Sequence, residues 1–145
     1  MNRFKMEFDG VSENEGFARV CVAAFATALD PTIEEINDVK TAVSEAVINA
    51  VIHGYGGRGG IIEMSAAIDN NTIEIKITDY GKGIEDIEKA MEPMFTTDAE
   101  HERSGMGFTF MEVFMDDLKV FSDKNKGTTV VMKKTFGKVS EYAGV

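Results

Sequence analysis

Five segments of the chain carry the residue pattern of strands with one buried face. Apolar and polar residues alternate over residues 4–8, 62–68, 73–77 and 129–133, and a fifth apolar segment covers residues 118–121. Polar turn residues at 69–71 and 125–127 separate two neighbouring pairs of these segments. The pattern therefore predicts two hairpins, and we expect the short first strand at or near a sheet edge.

Helical spacing of apolar residues predicts three further segments. Ser12 and Glu15 have the spacing of a capping box before a first helix, and Asp30-Pro31 ends that helix. Thr32 and Glu35 repeat the capping box before a second helix, which continues to Gly54. The apolar face predicted for the first helix consists of Phe17, Val20, Cys21, Ala24, Phe25 and Ala28. The second face consists of Ile36, Val39, Val43, Val47 and Ala50, and a third helix opens near Gly105.

The order of these elements predicts an α/β (α+β) two-layer sandwich. Consecutive strands joined by tight turns make a mostly antiparallel sheet, and the helices then pack on one face. We expect a single domain over residues 1–145, with a lid at about 84–104 and a tail at 136–145. This order is not the strand and helix alternation of a dinucleotide-binding domain.

Composition narrows the function classes. The 145 residues are 43% hydrophobic and carry a formal net charge of -10, which disfavours direct nucleic-acid binding and makes a basic protein partner plausible. Solubility alone also explains such a charge. No apolar run has the length of a membrane helix, so we expect no membrane association and a cytoplasmic protein. The lone Cys21, between Val20 and Val22, predicts a buried thiol without a disulfide.

Three polar residues form one stripe on the second helix. Glu45, Asn49 and His53 are four residues apart, so they share a narrow sector opposite the apolar face. A solvated helix face has the same appearance. An Asn amide oxygen, however, is a suitable ligand for Mg²⁺, and Glu45 is positioned to accept a proton from a hydroxyl or water.

Glycines flank two further polar positions. Asp79 ends a predicted strand and precedes Gly81 and Gly83, so its carboxylate is able to read an exocyclic amine, although a plain turn has the same residues. Ser104 precedes a helix start rich in glycine, where free N–H groups suit phosphate, and Arg103 is next to it. Neither a phosphate-binding loop with the Walker pattern nor the motifs of a protein kinase occur, and one Cys with two His predicts no zinc site.

In order and spacing, these three segments resemble the nucleotide-binding boxes of the GHKL superfamily of ATPases and kinases. The resemblance rests on Glu45-x-x-x-Asn49-Ala-x-x-His53-Gly54, Asp79-x-Gly81-x-Gly83 and Gly105-x-Gly107. Thr128, in Gly127-Thr-Thr129, is similar to the last element of that fold, near the adenine. The resemblance implies the GHKL (Bergerat) ATP-binding fold, with ATP or ADP and Mg²⁺ as ligands.

Within that superfamily, residues 1–135 resemble the anti-sigma F factor family of spore-forming bacteria. The segments 13–19, 43–50, 94–97 and 102–108 carry the match. It implies a dimeric serine kinase that phosphorylates an anti-anti-sigma protein and also sequesters a sporulation sigma factor, sigma F. In one departure, Asp98-Ala99-Glu100 stands where we expect a basic residue and a proline, so the phosphates should not receive a lysine from this part of the lid.

The same resemblance assigns roles to individual residues. Glu45 is the implied base for the partner's serine, Arg103 a lid-side phosphate contact, Asn49 the Mg²⁺ ligand and Asp79 the adenine reader. Glu15 and Arg19 on the first helix are the implied partner-binding residues. The implied cofactor-binding residues are Asn49, His53, Asp79, Gly81, Gly83, Thr97, Ser104, Gly105, Met106, Gly107 and Thr128.

Three other functions are compatible with the motifs. The first is a nucleotide-gated sigma-binding module that holds ATP without transferring phosphate. The second is an ATPase module of a larger machine, which the short chain disfavours. The third is an α/β domain that binds no nucleotide. A histidine kinase would need a further helical segment, so phosphorylation of His53 or His101 is not expected.

Overall fold

A computed structural model describes residues 1–92 and 107–137 of the chain. Five strands form one sheet in the order β1-β2-β3-β5-β4, and every neighbouring pair is antiparallel. The strands are β1 (Asn2–Asp9), β2 (Ile61–Asp69), β3 (Thr72–Asp79), β4 (Asp117–Asp123) and β5 (Gly127–Thr135). The predicted antiparallel sheet and both hairpins are confirmed, and β1 lies at an edge.

Four α-helices accompany the sheet within the described residues. They are α1 (Asn14–Ala26), α2 (Ile33–Asn49), α3 (Ile87–Ala90) and α4 (Gly107–Phe114). A 3₁₀ turn (Thr27–Leu29) extends α1, and a π-helical turn (Ala50–Gly54) follows α2. No helix in these parts of the chain combines the length and the apolar run that a bilayer crossing requires.

The core lies between one sheet face and the helices. From the sheet, Ile62, Met64, Ile73, Ile75, Ile77 and Met132 are almost completely buried, and from α2 Val39, Val43 and Val47 meet them. This set agrees with the strand alternation and with the predicted face of the second helix. Phe136, at the start of the expected tail, is also buried in the core.

The predicted apolar face of the first helix is only partly correct: Cys21 and Phe25 pack against the core, but other members do not. Phe17 and Val20 are 51% and 58% exposed, whereas Ala18, Val22 and Ala26 are fully buried. Helix α1 packs on α2, and small side chains allow two helices to approach closely, so the contact selects the alanine side. Cys21 is half-buried rather than enclosed.

Only one of the two predicted capping boxes forms. At α2, the Glu35 N–H donates to Thr32 Oγ1 and the Thr32 N–H donates to the Glu35 carboxylate. At α1, the N-cap is Glu13 and no side chain caps the helix. The Glu15 carboxylate is instead paired with Arg19 one turn later, and the Glu15 N–H donates to the Ser12 carbonyl.

Candidate functional site

A cavity of about 670 Å³ opens at the end of α2 and beside the last residues of β3. Its lining includes the following predicted residues: Asn49, His53, Asp79, Gly83, Gly107 and Thr128. Four segments that are distant in sequence therefore meet around one cavity. The predicted residues Thr97, Arg103, Ser104, Gly105 and Met106 lie outside the described residues, as does most of the predicted lid.

Asp79 forms the floor of the cavity. Its side chain is buried, and one carboxylate oxygen accepts the Gly81 N–H at 2.9 Å. Burial raises the pKa of Asp79 to about 6, while hydrogen bonds from the backbone N–H groups of Gly81 and Thr128 act in the opposite direction. The carboxyl group is thus mostly ionised at neutral pH and accepts hydrogen bonds.

Two glycines let the end of α2 touch the end of β3. A Cβ on Gly54 would lie 2.7 Å from a carboxylate oxygen of Asp79, and a Cβ on Gly81 would overlap the Gly54 carbonyl. The same carbonyl accepts the Lys82 N–H at 2.9 Å. Any side chain at Gly81 would separate the two elements, so Gly81 supports the cavity wall without lining it.

Tyr55 fixes the glycine-rich loop, a role that the sequence did not reveal. Its hydroxyl donates to the Ile61 carbonyl and accepts the Tyr80 N–H at 2.8 Å. Its ring lies where a Cβ on Gly60 would be. A tyrosine placed between glycines in residues 54–60 was the available signal, since an aromatic ring needs small neighbours to lie flat on the backbone.

Asn49 lies where α4 begins. Its amide nitrogen and oxygen both lie 3.1 Å from the place that a Cβ on Gly107 would take, so the glycine makes room for the amide. Within residues 1–92 and 107–137, no three His, Cys, Asp or Glu side chains form a metal site. An amide oxygen together with water and ligand phosphates is the kind of donor set that Mg²⁺ uses, so Asn49 fits that cation.

Lysines supply positive charge near the cavity. Lys82, Lys89 and Lys124 contribute to its lining, together with the acidic residues Glu85, Asp86 and Glu92. None of the lysines was singled out from the sequence, because isolated lysines are common on surfaces. Their positions give a negatively charged ligand several cationic neighbours.

Glu45 lies outside the large cavity, although it is one turn before Asn49. It lines a separate depression between α1 and α2, of about 320 Å³, with Glu15, Arg19, Lys40 and Ser44. On the α1 side of this depression, Arg19 pairs with Glu15 one turn earlier at 2.7 Å. The predicted base and the two predicted partner-binding residues thus share one surface feature.

Comparison with known proteins identifies the family. Residues 13–134 match the model of the histidine kinase-like ATPase domain. The chain is 56% identical over 140 residues to the anti-sigma F factor of Clostridium acetobutylicum, covering 97% of this chain and 98% of the relative. It is 60% identical over 136 residues to the anti-sigma F factor of a Thermoanaerobacter species, covering 94% and 95%. The chain belongs to the anti-sigma F factor family.

A solved structure supports the fold of this family member. The crystal structure of the RsbU and RsbW domains of Rv1364c from Mycobacterium tuberculosis matches with a TM-score of 0.65 at 15% identity. The match covers 94% of this chain and 32% of that longer one, so it shows the fold alone. The GHKL-like fold expected from the three boxes is confirmed, and nucleotide binding is the property that the ATPase domain implies.

Proposed function

We propose that the protein is an ATP-dependent protein serine kinase and an anti-sigma factor. The carrying observation is that Asn49, Asp79 and Thr128 meet in one cavity, while Glu45, one turn before Asn49 on α2, lines a separate depression between α1 and α2. The cavity suits a nucleotide and the depression suits a protein segment. The relatives named anti-sigma F factors support the second half of the proposal.

The chemistry divides between the two surfaces. Asp79 receives the exocyclic amine of adenine, and Asn49 would hold Mg²⁺, which when bound supplies charge neutralisation on the phosphates. A partner segment at the depression presents a serine hydroxyl. Its oxygen bonds to the terminal phosphorus, the bond to the bridging oxygen breaks to release ADP, and the hydroxyl proton passes to Glu45. Arg103, on the lid side, would contact the terminal phosphate.

Two partners and a homodimer belong to this proposal. The phosphorylated partner is an anti-anti-sigma protein, and the sequestered partner is sigma F. Glu15 and Arg19 lie on the same depression as Glu45, which is the reason to place both partners at this surface. The ion pair of Glu15 and Arg19, with its charged atoms 2.7 Å apart, offers each partner one carboxylate and one guanidinium.

One observation favours a second function, a nucleotide-gated sigma-binding module without phosphate transfer. Glu45 is absent from the cavity lining, so in this arrangement the base is set apart from the bound nucleotide. In the module, Glu45 would act only as a surface residue of the partner site.

Phosphate transfer to the partner decides between the two functions. The protein is incubated with labelled ATP, Mg²⁺ and its anti-anti-sigma partner, in parallel with Glu45→Gln and with Glu34→Gln, an exposed carboxylate on the same helix. The kinase predicts label on a partner serine, lost in Glu45→Gln and kept in Glu34→Gln. If ATP binds but no label reaches the partner, the protein is the nucleotide-gated sigma-binding module and not a kinase.

A further inference from the structure

Ser122 on β4 bonds to two residues that line the cavity, Ile84 and Thr128, and to the Gly127 carbonyl beside them. Its hydroxyl oxygen accepts the Ile84 N–H at 2.7 Å, lies 2.9 Å from the Gly127 carbonyl and lies 2.8 Å from Thr128 Oγ1. Gly127 and Thr128 begin β5, and Ile84 follows the Asp79 segment. One half-buried hydroxyl therefore connects the strand pair to the loop below the cavity.

The number of hydrogens fixes the direction of these bonds. A serine hydroxyl has one hydrogen and two lone pairs, and a carbonyl only accepts. All three contacts are satisfied together only if Ser122 donates to the Gly127 carbonyl and accepts from both Ile84 and Thr128. The hydrogen of Thr128 then points to Ser122, which leaves the lone pairs of Thr128 Oγ1 for the cavity.

Thr128 and Asp79 are neighbours on the same face of the sheet. They are paired across β3 and β5, and both line the cavity. Directly opposite residues of an antiparallel pair bring their side chains together. With the Thr128 hydrogen held by Ser122, the two side chains present acceptors only.

We propose that Ser122 is a positioning residue that sets base specificity by holding the Thr128 hydroxyl as a hydrogen-bond acceptor. This inference rests on the proposed binding of a purine nucleotide at Asp79. Two adjacent acceptors match a 6-amino group, which donates, and reject a 6-oxo group, which only accepts. Without Ser122, the Thr128 hydroxyl rotates and can donate to a 6-oxo purine.

The test compares the affinities for ATP and inosine triphosphate by calorimetry in the full chain. In Ser122→Ala we expect ATP to bind about three- to tenfold more weakly. The preference for ATP over inosine triphosphate should fall by about tenfold, because the freed Thr128 hydroxyl can donate one neutral hydrogen bond to the 6-oxo group. Ser122→Thr keeps the hydroxyl and should keep the preference. In a Thr128→Val background, Ser122→Ala should change the preference no further.

The matched control is the hydroxyl pair one residue away. Thr78 and Thr129 lie on the same strands with their oxygens 3.0 Å apart, on the alternate positions that face away from the cavity. Thr129→Val should leave both affinities unchanged.

Equal weakening of both nucleotides in Ser122→Ala would show a purely structural role and overturn the inference. If Ser122→Ala does not fold, an unaltered preference in Thr128→Val overturns it instead. Failure of the wild-type protein to bind either nucleotide would count against the proposed function, because that result does not depend on Ser122.

Discussion

Burial in the fold shifts the pKa at which Asp79 ionises. Its pKa is raised from 3.8 to about 6, so the unfolded chain ionises at lower pH than the folded one. This carboxyl therefore lowers the free energy of unfolding progressively as pH rises from about 4 to about 6. The acceptor needed for a 6-amino group becomes available over the same range, so stability and ligand binding change in opposite directions.

Nucleotide affinity should consequently depend on pH through Asp79. Between pH 7.5 and pH 5 we expect ATP affinity to fall by about fivefold more in the wild type than in Asp79→Asn, because protonation weakens a charge-assisted hydrogen bond. Titrating the same nucleotide into both proteins cancels the ionisation of its phosphates. Parallel pH profiles for the two proteins would remove Asp79 from the contact.

A substitution at Asn49 should weaken nucleotide binding without weakening the fold. It is half-buried, and its amide faces the cavity and Gly107 rather than the apolar core. Asn49→Ala should lower ATP affinity by about tenfold or more with Mg²⁺ present, as the loss of a metal-site residue does. In EDTA the variant and the wild type should bind ATP alike, and loss of cooperative unfolding in the variant would contradict this placement.

At the scale of elements, the two helix starts differ although their sequences are alike. Thr32 and Glu35 form reciprocal hydrogen bonds, whereas Ser12 and Glu15 do not. The N-cap of α1 is Glu13 rather than Ser12, so Glu15 lies at N2 instead of N3, and its carboxylate pairs with Arg19 one turn later. The box pattern therefore predicts that a helix starts near Ser12. It does not predict which residue becomes the N-cap or which group the Glu15 carboxylate binds.

Thr32→Ala and Ser12→Ala therefore form a matched pair for stability. Thr32→Ala should lower the free energy of unfolding by about 1 kcal/mol, because it removes the acceptor of the Glu35 N–H. Ser12→Ala should change it by less than about 0.5 kcal/mol, as for an exposed residue without such a contact. Urea unfolding measures both values, and equal losses would mean that Ser12 contributes a cap in solution.

The sequence predicted the fold and the cavity because both rest on repeated, local signals. Strand alternation and the turn at 69–71 predicted the hairpin of β2 and β3, and the boxes predicted Asn49, Asp79 and Thr128 at one site. The sequence did not predict that the Phe17 side chain is exposed, or that Glu45 and Asn49 line two different recesses. Both depend on how α1 packs against α2, and apolar spacing alone does not distinguish a large exposed residue from a small buried one.

At the scale of the whole molecule, the two recesses make ligand binding and partner binding separable. The large cavity lies at the ends of α2, β3 and β5, and the depression lies between α1 and α2. Helix α2 is common to both, with Asn49 in the first and Glu45 in the second. A substitution on α1 therefore reaches the proposed partner surface without touching the nucleotide.

Arg19→Glu tests this separation directly. The reversal places two carboxylates together at the depression, so we expect sigma-factor affinity to fall by about tenfold or more while ATP affinity changes by less than about twofold. Lys5→Glu, a charge reversal on the exposed edge strand β1, is the control and should leave sigma binding unchanged. Calorimetry with each ligand gives both affinities. An unchanged sigma affinity in Arg19→Glu would place the partner surface elsewhere, and a parallel loss of ATP binding would show that the two recesses are coupled through α2.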